Sequence, residues 1–156
     1  MKKLVIGADG SGFELKEKIR AYLDAQGISY DDVGNITASD NKAFYNTAAD
    51  AARGIQNGEY EKGILLCGTG MGVCMAANKF KGIYAACVES VYAAKKCRII
   101  NDANVMCMGG NIVGSDMAIN MVNEFLNTEF CEGFGEETTQ FLKQACVEIK
   151  GFEDNF

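Results

Sequence analysis

Two glycine-rich turns hold the residues best equipped for chemistry. The first, Gly7-Ala8-Asp9-Gly10-Ser11-Gly12, sets a carboxylate at the end of a short apolar run, and the second, Cys67-Gly68-Thr69-Gly70-Met71-Gly72, follows another such run with a thiol and a hydroxyl. A thiol beside a nest of backbone N–H groups is placed to work as a thiolate, and a thiolate can be a base. Thr69 and the neighbouring amides are placed to hold a developing oxyanion, and Asp9 to hydrogen-bond the hydroxyls of a sugar. Each residue also has a plainer reading. Asp9 could simply cap the following helix, an effect of about 1 kcal/mol. Cys67 could be a buried structural thiol and Thr69 a turn residue. As a nucleotide motif the second turn is weak, because it lacks GxxxxGK[ST] and spaces its glycines as GxGxG rather than GxGxxG.

Composition narrows the chemistry. The chain has no histidine, so proton transfer falls to Cys, Asp, Glu, Lys, Tyr or water. Its seven cysteines (67, 74, 87, 97, 107, 131 and 146) are odd in number and show no CxxC spacing. They read as reduced thiols packed as small hydrophobes, with no metal site expected. A net charge of −6 with arginine only at 20, 53 and 98 leaves no basic stripe for nucleic acid. No apolar run approaches the ~20 residues of a membrane-spanning helix, and the N-terminus runs directly into a strand-like segment, so a cytoplasmic address is expected. The whole length, 1–156, fits a single domain.

The turns must be positioned by the elements on either side. Apolar runs predict strands at 3–6, 28–33, 62–67, 83–88 and 105–108, and helical periodicity falls between them, at 13–23, 47–56, 73–77, 90–99 and 115–127. This order predicts an α/β fold: a doubly wound, Rossmann-like parallel sheet of five strands with helices on both faces. Ligands of such sheets bind beyond the carboxyl ends of the strands, where both glycine turns fall. A further helical pattern at 139–149 is expected to pack on a partner subunit, the alternative being a sixth helix on its own domain.

Four strings carry a family resemblance: Ile6-Gly7-Ala8-Asp9-Gly10-Ser11-Gly12-Phe13-Glu14-Leu15-Lys16, Gly63-Ile64-Leu65-Leu66-Cys67-Gly68-Thr69-Gly70-Met71-Gly72, Ala76-Ala77-Asn78-Lys79 and Asn101-Asp102-Ala103-Asn104-Val105. In order and spacing, over roughly residues 2 to 130, they resemble sugar-phosphate isomerases of the ribose-5-phosphate isomerase B and galactose-6-phosphate isomerase group. The resemblance implies a cofactor-free aldose–ketose isomerase acting on a carbohydrate. It also implies a homodimer or a dimer of dimers whose active site is shared between subunits. Carried over by position, Cys67 is the base that moves a proton between C1 and C2 through a cis-enediolate. Gly68, Thr69, Gly70, Met71 and Gly72 form the loop that holds the developing charge, Asp9 is a hydroxyl ligand, and Asn101 reaches in from the neighbouring subunit.

The match breaks at the ligand end. Gly10 and Ile100 stand where the family has the histidines to which ring opening is attributed, and Phe44 replaces a tyrosine. Asn111, Phe134 and Thr138 replace arginines that hold phosphate, with Glu132, Glu136 and Glu137 close by in the chain. A phosphate dianion needs several cationic donors, so altered specificity is expected, with ribose 5-phosphate a poor substrate. Lys79, Lys81 or Arg98 could rebuild an anion site from new directions. Two other readings compete: a weakly active or inactive subunit of a hetero-oligomeric isomerase, and a non-enzymatic sugar- or nucleotide-binding module.

Overall fold

The computed structural model describes residues 3–155. Five strands, β1 (Lys3–Ala8), β2 (Tyr30–Asp32), β3 (Tyr60–Cys67), β4 (Ala85–Cys87) and β5 (Val105–Gly109), form one sheet in the order β2-β1-β3-β5-β4, and every pairing is parallel. The helices are α1 (Phe13–Ala25), α2 (Phe44–Gln56), α3 (Met71–Ala77), α4 (Val91–Ile99), α5 (Ser115–Asn127) and α6 (Glu136–Gly151), followed by a short 3₁₀ turn at Phe152–Asn155. The expected five-stranded parallel architecture is present.

Central strands buried on both faces need apolar residues at consecutive positions, and β3 supplies them in Ile64-Leu65-Leu66-Cys67. Ile64 and Leu66 pack with Leu15, Ile19, Ala94, Met121 and Phe125 of α1, α4 and α5, whereas Leu65 and Cys67 face Ala48, Ala51, Val73 and Cys74 of α2 and α3. The helix after β1 therefore covers one face and the helix after β3 the other. A crevice opens where neighbouring strands send their helices to opposite faces, and here that point lies between Asp9 and Cys67.

Several boundaries differ from the sequence expectation. Helix α2 starts at Phe44, a turn earlier than the apolar periodicity indicates, and its N-cap, Ala43, makes no side-chain bond. Strands β2 and β4 have three residues each because only those residues pair. Helix α6 extends over Glu136–Gly151 and buries Leu142 and Cys146 on its own domain. Phe141, Val147 and Ile149 of the same helix stay exposed. The seven cysteines are all free thiols, and among the described residues no helix is long and apolar enough to cross a membrane.

Candidate active site

The two turns meet at the carboxyl edge of the sheet. The Asp9 N–H donates to the Leu66 carbonyl at 3.3 Å, and a side chain on Gly12 would begin 2.8 Å from the Leu66 carbonyl carbon. The end of β5 closes the other side: Gly110 N–H donates to the Cys67 carbonyl at 2.8 Å and Asn111 N–H to that of Gly68 at 3.0 Å. Crowding of this kind dictates the glycines. Gly70 has φ +79°, and a Cβ there would lie 2.6 Å from the Met108 carbonyl carbon.

Cys67 ends β3 nearly buried, at 5% exposure, with its Sγ accepting the Gly70 N–H at 3.2 Å. The thiol is thus held by the loop that follows it, on the sheet face covered by α2 and α3. Thr69 is exposed at the loop tip, where its Oγ1 accepts the Met71 N–H at 3.3 Å. Asp9 caps the turn into α1, with Oδ1 accepting Ser11 N–H at 2.9 Å and Gly12 N–H at 3.0 Å. Those bonds occupy one carboxylate oxygen. The other has no protein partner among the described residues, so capping and ligand binding are compatible.

Phe44 joins the site because of the early start of α2: its ring lies 2.8 Å from where a side chain on Gly72 would begin. Around Gly10 there is room, the nearest atom to such a side chain being Asn35 Nδ2 at 3.9 Å. Asn111 Nδ2 stands 3.1 Å from the corresponding point on Gly68, with Ser11 beside it. A cleft of about 310 Å³ opens there, with Ser11, Glu14, Lys18, Asn111 and Ser115 among its walls. Lys18 carries no signal of a site in the sequence. It sits one turn along α1 from Glu14 and reads as an ordinary solvated charge until the end of β5 is placed next to it.

One chain brings together Asp9, Gly10, Phe44, Cys67, Gly68, Thr69, Gly70, Met71, Gly72 and Asn111. It does not bring Ile100, Asn101 or Phe134 to them. Helix α4 runs back down the sheet, so these three lie toward the amino ends of the strands. There Cys146 Sγ reaches the Asn101 carbonyl at 3.7 Å, Cys131 N–H donates to Ile99, and Lys96 lies 5.9 Å from the Phe134 ring. The cations offered as a replacement anion site are not in the crevice either: Arg98 binds Asp102 at 2.9 Å and the Ala103 carbonyl at 2.7 Å, Lys81 binds Asp154 at 2.6 Å, and Lys79 lines a separate cleft with Phe80 and Glu153. A roomier cleft of about 420 Å³, lined by Lys62, Arg98 and Lys150, opens at the amino ends of β3 and β5, away from Cys67.

Residues 4–143 match the model of the Ribose/Galactose Isomerase family. The chain belongs to that family. It is 47% identical over 153 residues to the 4-deoxy-4-sulfo-D-erythrose isomerase of Clostridium sp. (strain MSTE9), spanning 98% of this chain and 96% of that one. It is 42% identical over 130 residues to the D-erythrulose-4-phosphate isomerase 2 of Mycolicibacterium smegmatis, covering 82% of this chain and 86% of the relative. Among solved structures, ribose-5-phosphate isomerase B of Clostridium thermocellum superposes with a TM-score of 0.83 at 32% identity, over 96% of this chain and 99% of the other. The chain is therefore an enzyme of the aldose–ketose isomerase class, which sets aside the non-enzymatic binding module.

Proposed function

We propose that the enzyme interconverts the aldose and ketose forms of a four-carbon sugar bearing a sulfonate at C4, through a cis-enediolate, as a cytoplasmic homodimer. The observation that carries this reading is the donor set of the crevice and the cleft beside it: no imidazole, a glycine at position 10, and neutral Ser11 and Asn111 with Lys18 the one cation lining that cleft among the described residues.

The missing histidines fit such a substrate. An aldose with a free hydroxyl at C4 or C5 hides its carbonyl in a ring, and opening the ring needs an acid and a base. A tetrose whose C4 carries sulfur instead of oxygen has no hydroxyl that can close a five-membered ring. Its carbonyl is already available, so Gly10 and Ile100 leave no step unserved. The missing arginines fit as well. A sulfonate spreads one negative charge over three oxygens, which neutral donors and one lysine, offset in part by Glu14, can hold; a phosphate near its dianionic form calls for more. The name of the Clostridium relative supports the same substrate.

In the forward direction Cys67, as thiolate, removes the proton from C2 of the aldose, and the electron pair moves onto the carbonyl oxygen. Backbone N–H groups of the Gly68–Gly72 loop and the Thr69 hydroxyl hold that oxygen. The proton returns from sulfur to C1 on the same face while the C2 hydroxyl passes its own to the oxygen on C1, yielding the ketose. The unoccupied oxygen of Asp9 accepts a substrate hydroxyl, and the Phe44 ring shields one side. Asn101 and Phe134 reach the site from the neighbouring subunit.

Turnover of 4-deoxy-4-sulfo-D-erythrose and of ribose 5-phosphate, followed by NMR in deuterated water, tests the proposal. The sulfonate should react at the order of 10 s⁻¹ typical of enzymes, with deuterium entering the carbon that receives the proton. Comparable turnover of ribose 5-phosphate, with the sulfonate inert, would overturn it.

A further inference from the structure

The roomier cleft at the amino ends of the strands is built around a buried guanidinium that its own chain does not saturate. Arg98 sits in the last turn of α4 with only 6% of its surface exposed. Its Nη1 donates to Asp102 Oδ1 at 2.9 Å and to the Ala103 carbonyl at 2.7 Å, but its Nε, fully enclosed, has no acceptor among the described residues. A buried charged donor without an acceptor is rare and costly, and it calls for one from outside the chain.

Two ammonium groups line the same cleft with free donors of their own. Lys62, half-buried near the start of β3, makes one bond among the described residues, to the Leu126 carbonyl at a long 3.5 Å. Lys150, from α6, stands 5.3 Å from the Tyr84 ring and 3.9 Å from Asp102 Oδ2. The acceptors on the walls are largely taken. Asn104 donates to the Gly82 carbonyl and accepts the Tyr84 N–H, both at 2.8 Å, and Asp102 is shared by Arg98 and Lys150. Of the two lining carboxylates only Glu61, exposed to solvent, is in no ion pair among the described residues. With three cations against those two carboxylates, the cleft is net positive.

We propose that this cleft is a second, non-catalytic anion site that takes a phosphate group, either free or as the ester of a small metabolite. A phosphate presents acceptor oxygens to these donors, and its dianion matches a guanidinium and two ammonium groups far better than a singly charged sulfonate does. Arg98 Nε supplies the buried contact, and Lys62 and Lys150 the contacts nearer solvent. The volume of about 420 Å³ falls within the range of small-molecule pockets, so an organic portion fits beside the anionic end. The cleft shares no lining residue with the one beside Asn111. A sulfonate site poor in cations and a phosphate site rich in them thus lie at opposite ends of one sheet.

Arginine occurs only at 20, 53 and 98, so the side-chain Nε–H signals of the ¹⁵N-labelled protein are few enough to assign by through-bond correlation. Inorganic phosphate is titrated into the intact protein at fixed ionic strength, with methanesulfonate as the singly charged comparison. The Arg98 signal alone should move and saturate, with a Kd on the order of 1 mM for phosphate and at least about tenfold weaker binding of methanesulfonate. Lys62→Gln should weaken phosphate about tenfold, whereas Lys18→Gln should leave its affinity unchanged. Glycerol 3-phosphate identifies the source: tighter binding than inorganic phosphate points to an ester, equal or weaker binding to the free ion. An Arg98 signal that stays fixed up to about 20 mM phosphate would leave the cleft to water and overturn the proposal. So would equal responses to both anions, or phosphate binding lost in Lys18→Gln and kept in Lys62→Gln. The titration of the unaltered protein needs no variant to fold and no turnover, so its outcome stands apart from the isomerase assignment.

Discussion

Gly70→Ala separates backbone strain from damage to the site, because the fold supplies its own control. Gly70 and Gly82 share nearly the same left-handed backbone, φ +79° and +80°. A Cβ at Gly82 meets nothing within 4 Å, whereas at Gly70 it would lie 2.6 Å from the Met108 carbonyl carbon and 2.8 Å from its Cα. Placing alanine in this conformation costs about 1–2 kcal/mol at either position. In a chain of this size that lowers Tm by about 2–4 °C per kcal/mol. Only Gly70→Ala must also relieve the clash, and because the obstacle is backbone in the middle of a sheet, the loop has to give. Reaching an ordinary 3.4 Å contact moves it by about 0.8 Å, enough to break the Cys67–Gly70 bond. A loss of about 10²-fold in kcat/KM follows for Gly70→Ala, and less than about threefold for Gly82→Ala, which is remote from the site. Steady-state kinetics on the sulfonated tetrose with parallel thermal melts is the measurement. If Gly70→Ala keeps activity within threefold of Gly82→Ala, the loop geometry has no part in catalysis.

Cys67→Ser should abolish deuterium incorporation, a loss of at least about 10²-fold, while ligand still raises Tm; undiminished exchange would remove the thiol from the mechanism. Asn111→Arg should raise kcat/KM for four-carbon phosphates relative to the sulfonate by about tenfold, since a bidentate cation favours the greater charge; unchanged selectivity in competition assays would place the anion elsewhere. Alkylation by iodoacetamide should show Cys74 reacting with a midpoint near pH 7 while Cys97, pushed up to about 11 by burial, stays protonated. Because the Cys74 value is depressed on folding, its ionised form stabilises the fold fully above the ordinary thiol value of 9.0 and loses that contribution as pH falls through about 7. Wild type should therefore gain stability over Cys74→Ser between those limits, as denaturant titrations at several pH values would show. Mixing inactive Cys67→Ser with inactive Asn101→Ala should restore part of the activity if the two residues act across subunits; persistent inactivity of the mixture would place them in one chain's site.

Both glycine turns are legible in the sequence because their requirements are local. A buried strand announces itself as an unbroken apolar run, and the glycines after it mark where backbones nearly touch. The start of α2 is not legible, since Ala43-Phe44 carries no capping side chain. The turn it adds is what brings Phe44 to Gly72. Nor does any local signal put β5 between β3 and β4, and the cleft formed by Lys18, Ser11 and Asn111 depends on that placement. Nothing local marks Lys16 either: it is wholly buried and binds Asp32 at 2.5 Å. A lone lysine in an apolar stripe is explained only by its partner sixteen residues away.

Placing β5 between its two predecessors has a consequence for how the protein is made. Among the described residues strand β4 pairs with β5 alone, so while the ribosome has yet to deliver Val105–Gly109, residues 85–87 have nowhere to dock and the flank of β3 stands bare. A nascent chain paused there exposes unpaired backbone beside the apolar run Ile64-Leu65-Leu66-Cys67, a template for joining other chains. Emergence of five residues removes that hazard on two sides at once.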